Sequence, residues 1–411
     1  MKALTKISIG FLALVAVALW FTSCSSEDVA SGTNQGKMSS LTLTINTGKS
    51  MGSRATDWTT DPGADKMTTE NKINRVAIGI FSHSGAVKTI VELTPSTTGT
   101  NSFSQTDANN AKATIVTSSL VASDQVLVAI NAPTGTFTGC QNKTAFMGKT
   151  ETAAEALANS ADDAQVANNI PMFGSATLSG AGSSFNASVS VIHMIAKVSL
   201  TSLKVDFKAG SAYADAQFTP KAVFLINVPN SLQFDNDNAW TSAGYEHGWG
   251  TFATDFTYDA TTANSSAAST FTGSTFAKYL TTSELKDKTL KGEDASYDKS
   301  VYFYTMPNEQ DGDKATKLVI AGKFKATGVP EKVVYYPLFL NAKVNSTGTG
   351  YDPAIVGSVA KKVYPNKNYN CKVVIRNIGA DSPNTNLDPK TATISISVTD
   401  FVPADQTTEF N

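Results

Sequence analysis

Apolar side chains recur at every second position through most of this chain, and this alternation constrains the fold more than any other feature. Leu41, Leu43 and Ile45 alternate with polar residues, and the run Val76–Ile80 repeats the pattern. A period of two places all the apolar side chains of a segment on one face of a strand. The sequence therefore predicts half-buried β-strands rather than amphipathic helices.

Further strand-like runs are bounded by clusters of Gly, Asn, Asp, Ser and Pro. The predicted strands are Val87–Leu93, Val126–Ile130, Val189–Leu200, Ala222–Val228, Val301–Met306, Leu318–Phe324, Val333–Leu340, Cys371–Ile378 and Thr391–Val402. Of these, Val126–Ile130 is apolar throughout, which is typical of a strand covered on both faces. Thr152 and Glu155 form a capping box that predicts one helix over Ala153–Ala167. The polar stretch Asp235–Thr275 is predicted to be a loop region with little regular structure.

The length of the chain, 411 residues, is enough for two domains that each bury a core. The predicted fold class is mainly β, with two β-sandwich-like (transthyretin-like) domains and a minor α-helical part. We place the boundary in the long apolar run near residues 189–205. Residues 55–197 would then form an N-terminal β-sandwich domain, and residues 198–411 a C-terminal β-sandwich domain with a tail.

The beginning of the chain is typical of an exported protein. Lys2 and Lys6 form a positive region, the apolar run Ile7–Phe21 follows, and small residues lead into Cys24. A cysteine directly after such a core resembles a lipobox, in which that cysteine becomes the lipidated first residue. We expect residues 1–23 to be a lipoprotein signal peptide; the alternative is a plain signal peptide with an incidental cysteine. The polar residues that follow Cys24 read as a flexible tether.

Carboxylates are plentiful in this sequence, but no motif that carries catalysis is visible. The three histidines, His83, His193 and His247, have no partner at metal-ligand spacing. There is no P-loop, dinucleotide fingerprint or nucleophile elbow. We therefore expect no enzymatic activity, cofactor or metal site, and we read His193 as a core residue. The formal net charge of −2 gives no basic footprint for nucleic acid.

Two further groups of residues have a structural and a functional reading. Cys140 and Cys371 lie far apart in the sequence and are expected to be buried thiols without catalytic work, although they could pair. The aromatic residues Trp240, Tyr245 and Trp249 cluster among glycines. They could form a platform on which sugar rings stack, or they could cover one end of a β-sandwich domain.

One peptide bond is a good candidate for proteolysis. The chain has three arginines, and both Arg75 and Arg376 lie in or beside predicted strands. Arg54 instead lies in a polar, Gly-containing linker, which is the preferred kind of site for nicking. A cut between Arg54 and Ala55 would remove the strand Leu41–Thr47. The loss of that strand would expose an unpaired sheet edge and an apolar groove.

The last residues of the sequence have the pattern of a strand without a turn that would fold it back. One face of this tail consists of Val402, Ala404, Gln406, Thr408 and Phe410. A terminal strand that fills a groove in the next molecule is donor-strand complementation. Because each subunit both gives and receives a strand, such contacts build filaments. The alternative is a frayed tail or one that pairs with its own domain.

Several short segments, in their order and spacing, resemble the fimbrillins of type V pili, which are surface filaments of anaerobic Gram-negative bacteria. The segments are Ile170–Gly174, Val191–Val198, Phe303–Asn308, Tyr364–Tyr369 and the tail that begins at Val398. The resemblance implies a lipoprotein precursor, lipidated at Cys24 and anchored in the outer membrane. An arginine-specific, gingipain-like protease would cut it at Arg54–Ala55, so that residues 24–54 act as a propeptide.

The resemblance also implies the partners. The strand carrying Leu41, Leu43 and Ile45 would be displaced, and the tail Val402–Phe410 of another copy would take its place in a cell-surface fimbrium that supports adhesion. Related tip or anchor subunits would be further partners. We therefore interpret the chain as a structural subunit, most simply a stalk fimbrillin. The alternatives are a tip or anchor subunit of the same fimbrium, and a glycan-binding surface lipoprotein that stays anchored.

Overall fold

The computed structural model describes residues 37–47, 70–107, 109–157, 165, 168–235, 242–248, 251–252, 258–259, 277–279, 288–292, 301–347, 350–352, 354–388 and 391–400. These residues form mainly β-structure, as the alternation predicts. The first strands are β1 (Met38–Asn46), β2 (Val76–Phe81), β3 (Val87–Leu93), β4 (Ser102–Gln105), β5 (Asn110–Ser118), β6 (Gln125–Ile130), β7 (Thr150–Thr152), β8 (Met172–Thr177), β9 (Ser179–Ala181), β10 (Ser184–Ser190) and β11 (Ile192–His193). Two short helices, α1 (Lys143–Met147) and α2 (Ala153–Leu157), lie between them.

The remaining strands follow in the second half of the chain. They are β12 (Ala196–Val205), β13 (Gln217–Ile226), β14 (Val228–Pro229), β15 (Ser231–Gln233), β16 (Tyr245–Glu246), β17 (Thr251–Phe252), β18 (Tyr258–Asp259), β19 (Ala277–Tyr279), β20 (Leu290–Lys291), β21 (Val301–Thr305), β22 (Lys317–Ala326), β23 (Val329–Phe339), β24 (Lys343–Val344), β25 (Tyr351–Asp352), β26 (Lys367–Ile375) and β27 (Ala392–Asp400).

Two sheets of the N-terminal half face each other across one apolar core. The first has the order β4-β5-β1-β10-β9 and the second the order β11-β8-β6-β2-β3. Leu41 and Leu43 of the first sheet belong to the same buried cluster as Ile78 and Val128 of the second. Strands β2 and β3 pair antiparallel and form a hairpin across the turn at residues 83–86.

The central strands of the second sheet, β2 and β6, are covered on both faces. Val126, Val128 and Ile130 face the first sheet, whereas Leu127 and Ala129 belong to the larger core that contains α1 and α2. A strand in this position has no solvent-facing side, and this explains why Val126–Ile130 is apolar throughout.

Two further sheets, with the orders β21-β12-β26-β27 and β19-β13-β22-β23, bury their apolar faces in that larger core. Strand β12, which begins at Ala196, pairs in parallel with β26 and antiparallel with β21. The strand β27 is at the edge of its sheet and pairs antiparallel with β26. The proposed division of the chain between residues 197 and 198 stays a prediction.

The predicted strand Val189–Leu200 is divided into three strands. The chain leaves β10, crosses to β8 through β11, and then enters a third sheet as β12. Backbone hydrogen bonds fix both crossings, from the Val191 amide to Asn46 and from the Met194 amide to Pro171. Apolar content could not reveal these crossings, because Val189, Val191 and Ile195 at the crossings are all buried.

The capping box is confirmed. The Glu155 carboxylate accepts from the Thr152 amide at 2.8 Å, and the Thr152 hydroxyl accepts from the Glu155 amide at 3.2 Å. The helix that it begins, α2, is described as far as Leu157. Of the rest of the predicted helix Ala153–Ala167 only Gln165 is described, and it is not helical, so the prediction was wrong at this residue: its side chain instead bonds the Tyr304 backbone. Most of the predicted loop Asp235–Thr275 lies outside the described residues. No helix in the described part of the chain is long and apolar enough to cross a membrane.

Candidate functional site

The strand β1 lies in the middle of its sheet. It pairs in parallel with β10, from Ser40 opposite Ser184 to Asn46 opposite Ser190. On its other side it pairs antiparallel with β5, from Met38 opposite Ser118 to Asn46 opposite Asn110. Its backbone groups are therefore bonded on both sides, and its removal would leave β5 and β10 with facing unpaired edges.

The three predicted groove residues occupy the core. Leu41, Leu43 and Ile45 are each 0% exposed, and they contact the facing sheet. Thr44, on the opposite face of β1, is exposed. Each of the three apolar side chains contributes about 1.5–3 kcal/mol by burial. Strand β1 is thus a structural part of this core. Residues 48–69 connect its C-terminal end to the rest of the core.

The two ends of that connecting segment are both fixed. At one end the Thr47 amide donates to the Asn109 carbonyl oxygen at 2.9 Å. At the other end the Asn71 side chain donates to the Asn109 side-chain oxygen at 3.4 Å. The same turn therefore holds the chain before and after the segment that contains Arg54. Arg54, Ala55 and Cys24 lie outside the described residues, as do the donor residues Val402, Ala404, Gln406, Thr408 and Phe410.

A buried polar cluster holds the chain where it returns from this segment. The Glu70 carboxylate accepts from the Tyr304 hydroxyl at 2.6 Å, and the Lys197 ammonium lies 3.4 Å from the same oxygen. The Nε2 atom of His193 is 3.1 Å from the Glu70 carbonyl oxygen. Lys197 also lies 4.9 Å from the centre of the Tyr302 ring. The residue Glu70 is thereby fixed to β11, β12 and β21.

The pKa values in this cluster reflect its burial. The pKa of His193 is lowered to about 4, mainly by burial; the nearby charge of Lys197 acts in the same direction, and the hydrogen bond with the Glu70 carbonyl oxygen acts against it. Burial also raises the pKa of the Tyr304 hydroxyl, and the Glu70 carboxylate acts in the same direction. His193 is accordingly neutral at pH 7, and it is a buried core residue. The roles of Glu70 and Lys197 were not predicted, although a lysine inside the apolar run Val191–Val198 was a signal.

The two arginines within the described residues take part in the folded structure. Arg75 donates from its side chain to the carbonyl oxygens of Ala132 and Asn131. Arg376 forms an ion pair with Asp206 at 3.0 Å. A protease would have to open folded structure to bind either of them.

The residues with possible chemical roles form no reactive site in the described part of the chain. Cys140 and Cys371 are free and buried, as the sequence predicts. Burial raises the pKa of both thiols, which disfavours the reactive thiolate. No group of three His, Cys, Asp or Glu side chains among the described residues could hold a metal ion.

The proposed sugar platform is described only at Tyr245. The Lys314 ammonium lies 5.4 Å from the centre of its ring, so one face of the ring is covered by a cation. Trp240 and Trp249 lie outside the described residues.

Solved structures share this arrangement of sheets. The chain matches a fimbrilin, FimA, from Porphyromonas gingivalis W83 with a TM-score of 0.53 and 14% identity, over 89% of this chain and 99% of that one. It also matches a protein assigned to cell adhesion from Bacteroides eggerthii, with a TM-score of 0.56 and 17% identity, over 90% of this chain and 98% of that one. No protein-family model and no curated protein sequence matches the chain. The chain therefore has a fimbrillin-type β-sandwich fold.

Proposed function

We propose that this protein is a structural subunit, of the stalk type, of a cell-surface fimbrium. The precursor is exported as a lipoprotein and anchored in the outer membrane through a lipid on Cys24. An arginine-specific protease cuts between Arg54 and Ala55, and the strand β1 then leaves its sheet. The segment Val402–Phe410 of a second copy enters the vacated place, and repetition of this exchange builds the filament.

The position of β1 carries this proposal. Strand β1 is central in its sheet and buries three large apolar side chains, yet its connection to the next element is a segment of 22 residues that contains Arg54. A single cut there would separate a core strand from the rest of the molecule. The likeness to FimA and to a protein assigned to cell adhesion supports the same function.

The first experiment tests the cleavage. Removal of residues 1–54 takes away five basic and two acidic groups, so the chain would shorten from 411 to 357 residues and its net charge would change from −2 to −5. N-terminal sequencing of protein from the cell surface is expected to begin at Ala55. The variant Arg54→Ala is expected to remain monomeric, whereas Arg376→Lys, a matched control, should polymerise. Filaments of normal length from Arg54→Ala would contradict the proposal.

The second experiment tests the anchor. One acyl chain binds a membrane reversibly, whereas two bind it stably. The variant Cys24→Ala should therefore release the uncut precursor from membranes, with Cys140→Ala as the matched control that stays membrane-bound. Equal partitioning of Cys24→Ala and the parent protein would contradict lipidation at this residue.

A further inference from the structure

The place that β1 occupies varies in width along its length. Leu41 is flanked by the large residues Ile115 on β5 and Phe185 on β10. Leu43 is flanked on both sides by alanine, Ala113 and Ala187. Because directly opposite Cβ atoms in a sheet are only about 4.5–5.5 Å apart, small neighbours leave lateral room beside a side chain. The vacated groove would be narrow at Leu41 and widest at Leu43.

The polarity of the groove also changes towards one end. Ser39 precedes Leu41 on the same face; it is 3% exposed and its hydroxyl bonds to a backbone carbonyl. Met38 beside it is 58% exposed, so this end of the strand lies at the rim. The groove therefore best fits a strand that has a polar residue at the position of Ser39, a small residue at that of Leu41 and a large apolar residue at that of Leu43.

The tail of this chain contains that order of residues. Along one face it presents Gln406, Thr408 and Phe410, which are polar, small and large in turn. We propose, on the basis of the function proposed above, that the tail of a second copy enters in the direction of β1. Phe410 then takes the place of Leu43, Thr408 that of Leu41, and Gln406 that of Ser39. Phe410 is the residue that determines the specificity of the exchange.

Other alignments of the tail fit less well. A shift by two residues that puts Phe410 at Ile45 places the Gln406 amide at Leu41, between Ile115 and Phe185. A buried amide without a hydrogen-bond partner is unfavourable there. The reversed direction with Phe410 at Leu43 puts Gln406 at Thr47, which is 0% exposed, and the small Thr408 beside Ala111. Of these three alignments, only the proposed one places the polar residue next to a strongly exposed position, at Ser39 beside Met38.

Disulfide trapping tests the register. In the proposed register Glu409 replaces Thr42, which lies directly opposite Thr114 on β5. In the shifted and reversed alignments Glu409 replaces Thr44, which lies opposite Lys112. Subunits carrying Glu409→Cys are mixed with subunits carrying either Thr114→Cys or Lys112→Cys, cut with an arginine-specific protease and oxidised. Thr114 and Lys112 lie two residues apart on β5, so their side chains are on the same face of the strand. Each is therefore the matched control of the other.

We expect dimers on non-reducing gels from the Thr114→Cys mixture and at least tenfold fewer from the Lys112→Cys mixture. The reverse ratio, or filaments without either crosslink, would overturn the register. Absence of any filament after cleavage in these variants and in the parent would instead contradict the proposed function. The two failures are therefore distinguishable.

A substitution series tests the role of Phe410. Phe410→Leu should retain filament formation, because leucine already fills the same place in β1. Phe410→Ala should reduce the yield of filaments at least tenfold, and Glu409→Ala, on the opposite face, should leave it unchanged. Equal yields from Phe410→Ala and the parent would overturn the assignment of Phe410.

Discussion

At the scale of single residues, His193 provides a prediction for pH dependence. Its pKa falls from 6.5 in the unfolded chain to about 4 in the folded one. Below pH 6.5 the unfolded chain binds a proton that the folded protein excludes, so stability that is present above pH 6.5 is lost as the pH falls towards 4. Since each pKa unit corresponds to about 1.4 kcal/mol, the loss from His193 reaches about 3.5 kcal/mol well below pH 4.

The measurement is urea unfolding at pH 7 and pH 4.5. His193→Gln should reduce the difference in unfolding free energy between the two pH values, whatever it does to stability at pH 7. His83 is exposed, and His83→Gln should leave that difference unchanged. If His193→Gln and the parent lose equal stability on acidification, the assignment of this pH dependence to His193 is wrong.

The buried pair of Glu70 and Lys197 leads to a second prediction. Glu70→Ala would remove the carboxylate that faces the buried Lys197 and should cost about 3–5 kcal/mol of unfolding free energy. Glu70→Gln should cost less, because an amide oxygen can still accept from Tyr304. The exposed pair of Lys332 and Asp381 is the control, and Asp381→Ala should cost less than about 1 kcal/mol. Equal losses at the two pairs, measured by denaturant unfolding, would contradict this account.

Residue types revealed part of this chemistry before the structure did. A histidine inside an apolar strand indicated a core residue, and two distant cysteines indicated inert thiols. The partners of these residues could not be predicted. Glu70 lies 127 positions before Lys197 and 234 before Tyr304, so only the folded chain brings the three together.

At the scale of elements, Leu43 and Thr44 give a matched test of strand β1. Leu43→Ala would leave a cavity in the core between two alanines and should destabilise the uncut precursor by about 2–5 kcal/mol. Thr44→Ala changes an exposed side chain and should have an effect within about 0.5 kcal/mol. Thermal and denaturant unfolding of the precursor measure both effects. A small loss from Leu43→Ala would mean that β1 contributes little to this core.

Alternation predicted the strand well where one face is buried, as in β1. At β2 it predicted the strand but not that both faces are buried. A fully apolar run correctly predicted that β6 is covered on both faces. The sequence could not predict which strands become neighbours. Strand β1 pairs with β10, whose Ser184 lies 144 positions after its partner Ser40, and this pairing makes the groove. The division of residues 189–200 among three sheets could not be predicted either, because it also depends on which strands become neighbours.

At the scale of the whole molecule, the proposed exchange requires each subunit to give one strand and receive one, and two variants separate these abilities. A chain that ends at Phe401 can be cut and can receive a strand, but it has none to give. Arg54→Ala keeps β1 in place, so it can give its tail but cannot receive one. Each variant alone should remain monomeric after treatment with an arginine-specific protease.

Mixed in equal amounts after the same treatment, the two variants should form a dimer and nothing longer. Either variant added to wild-type subunits should shorten the filaments in proportion to its share, because it ends the chain at one side. Electron microscopy and SDS-resistant ladders measure the lengths, and the parent protein without protease is the control. Filaments longer than a dimer from the mixed variants would show that subunits join through a surface other than the place of β1.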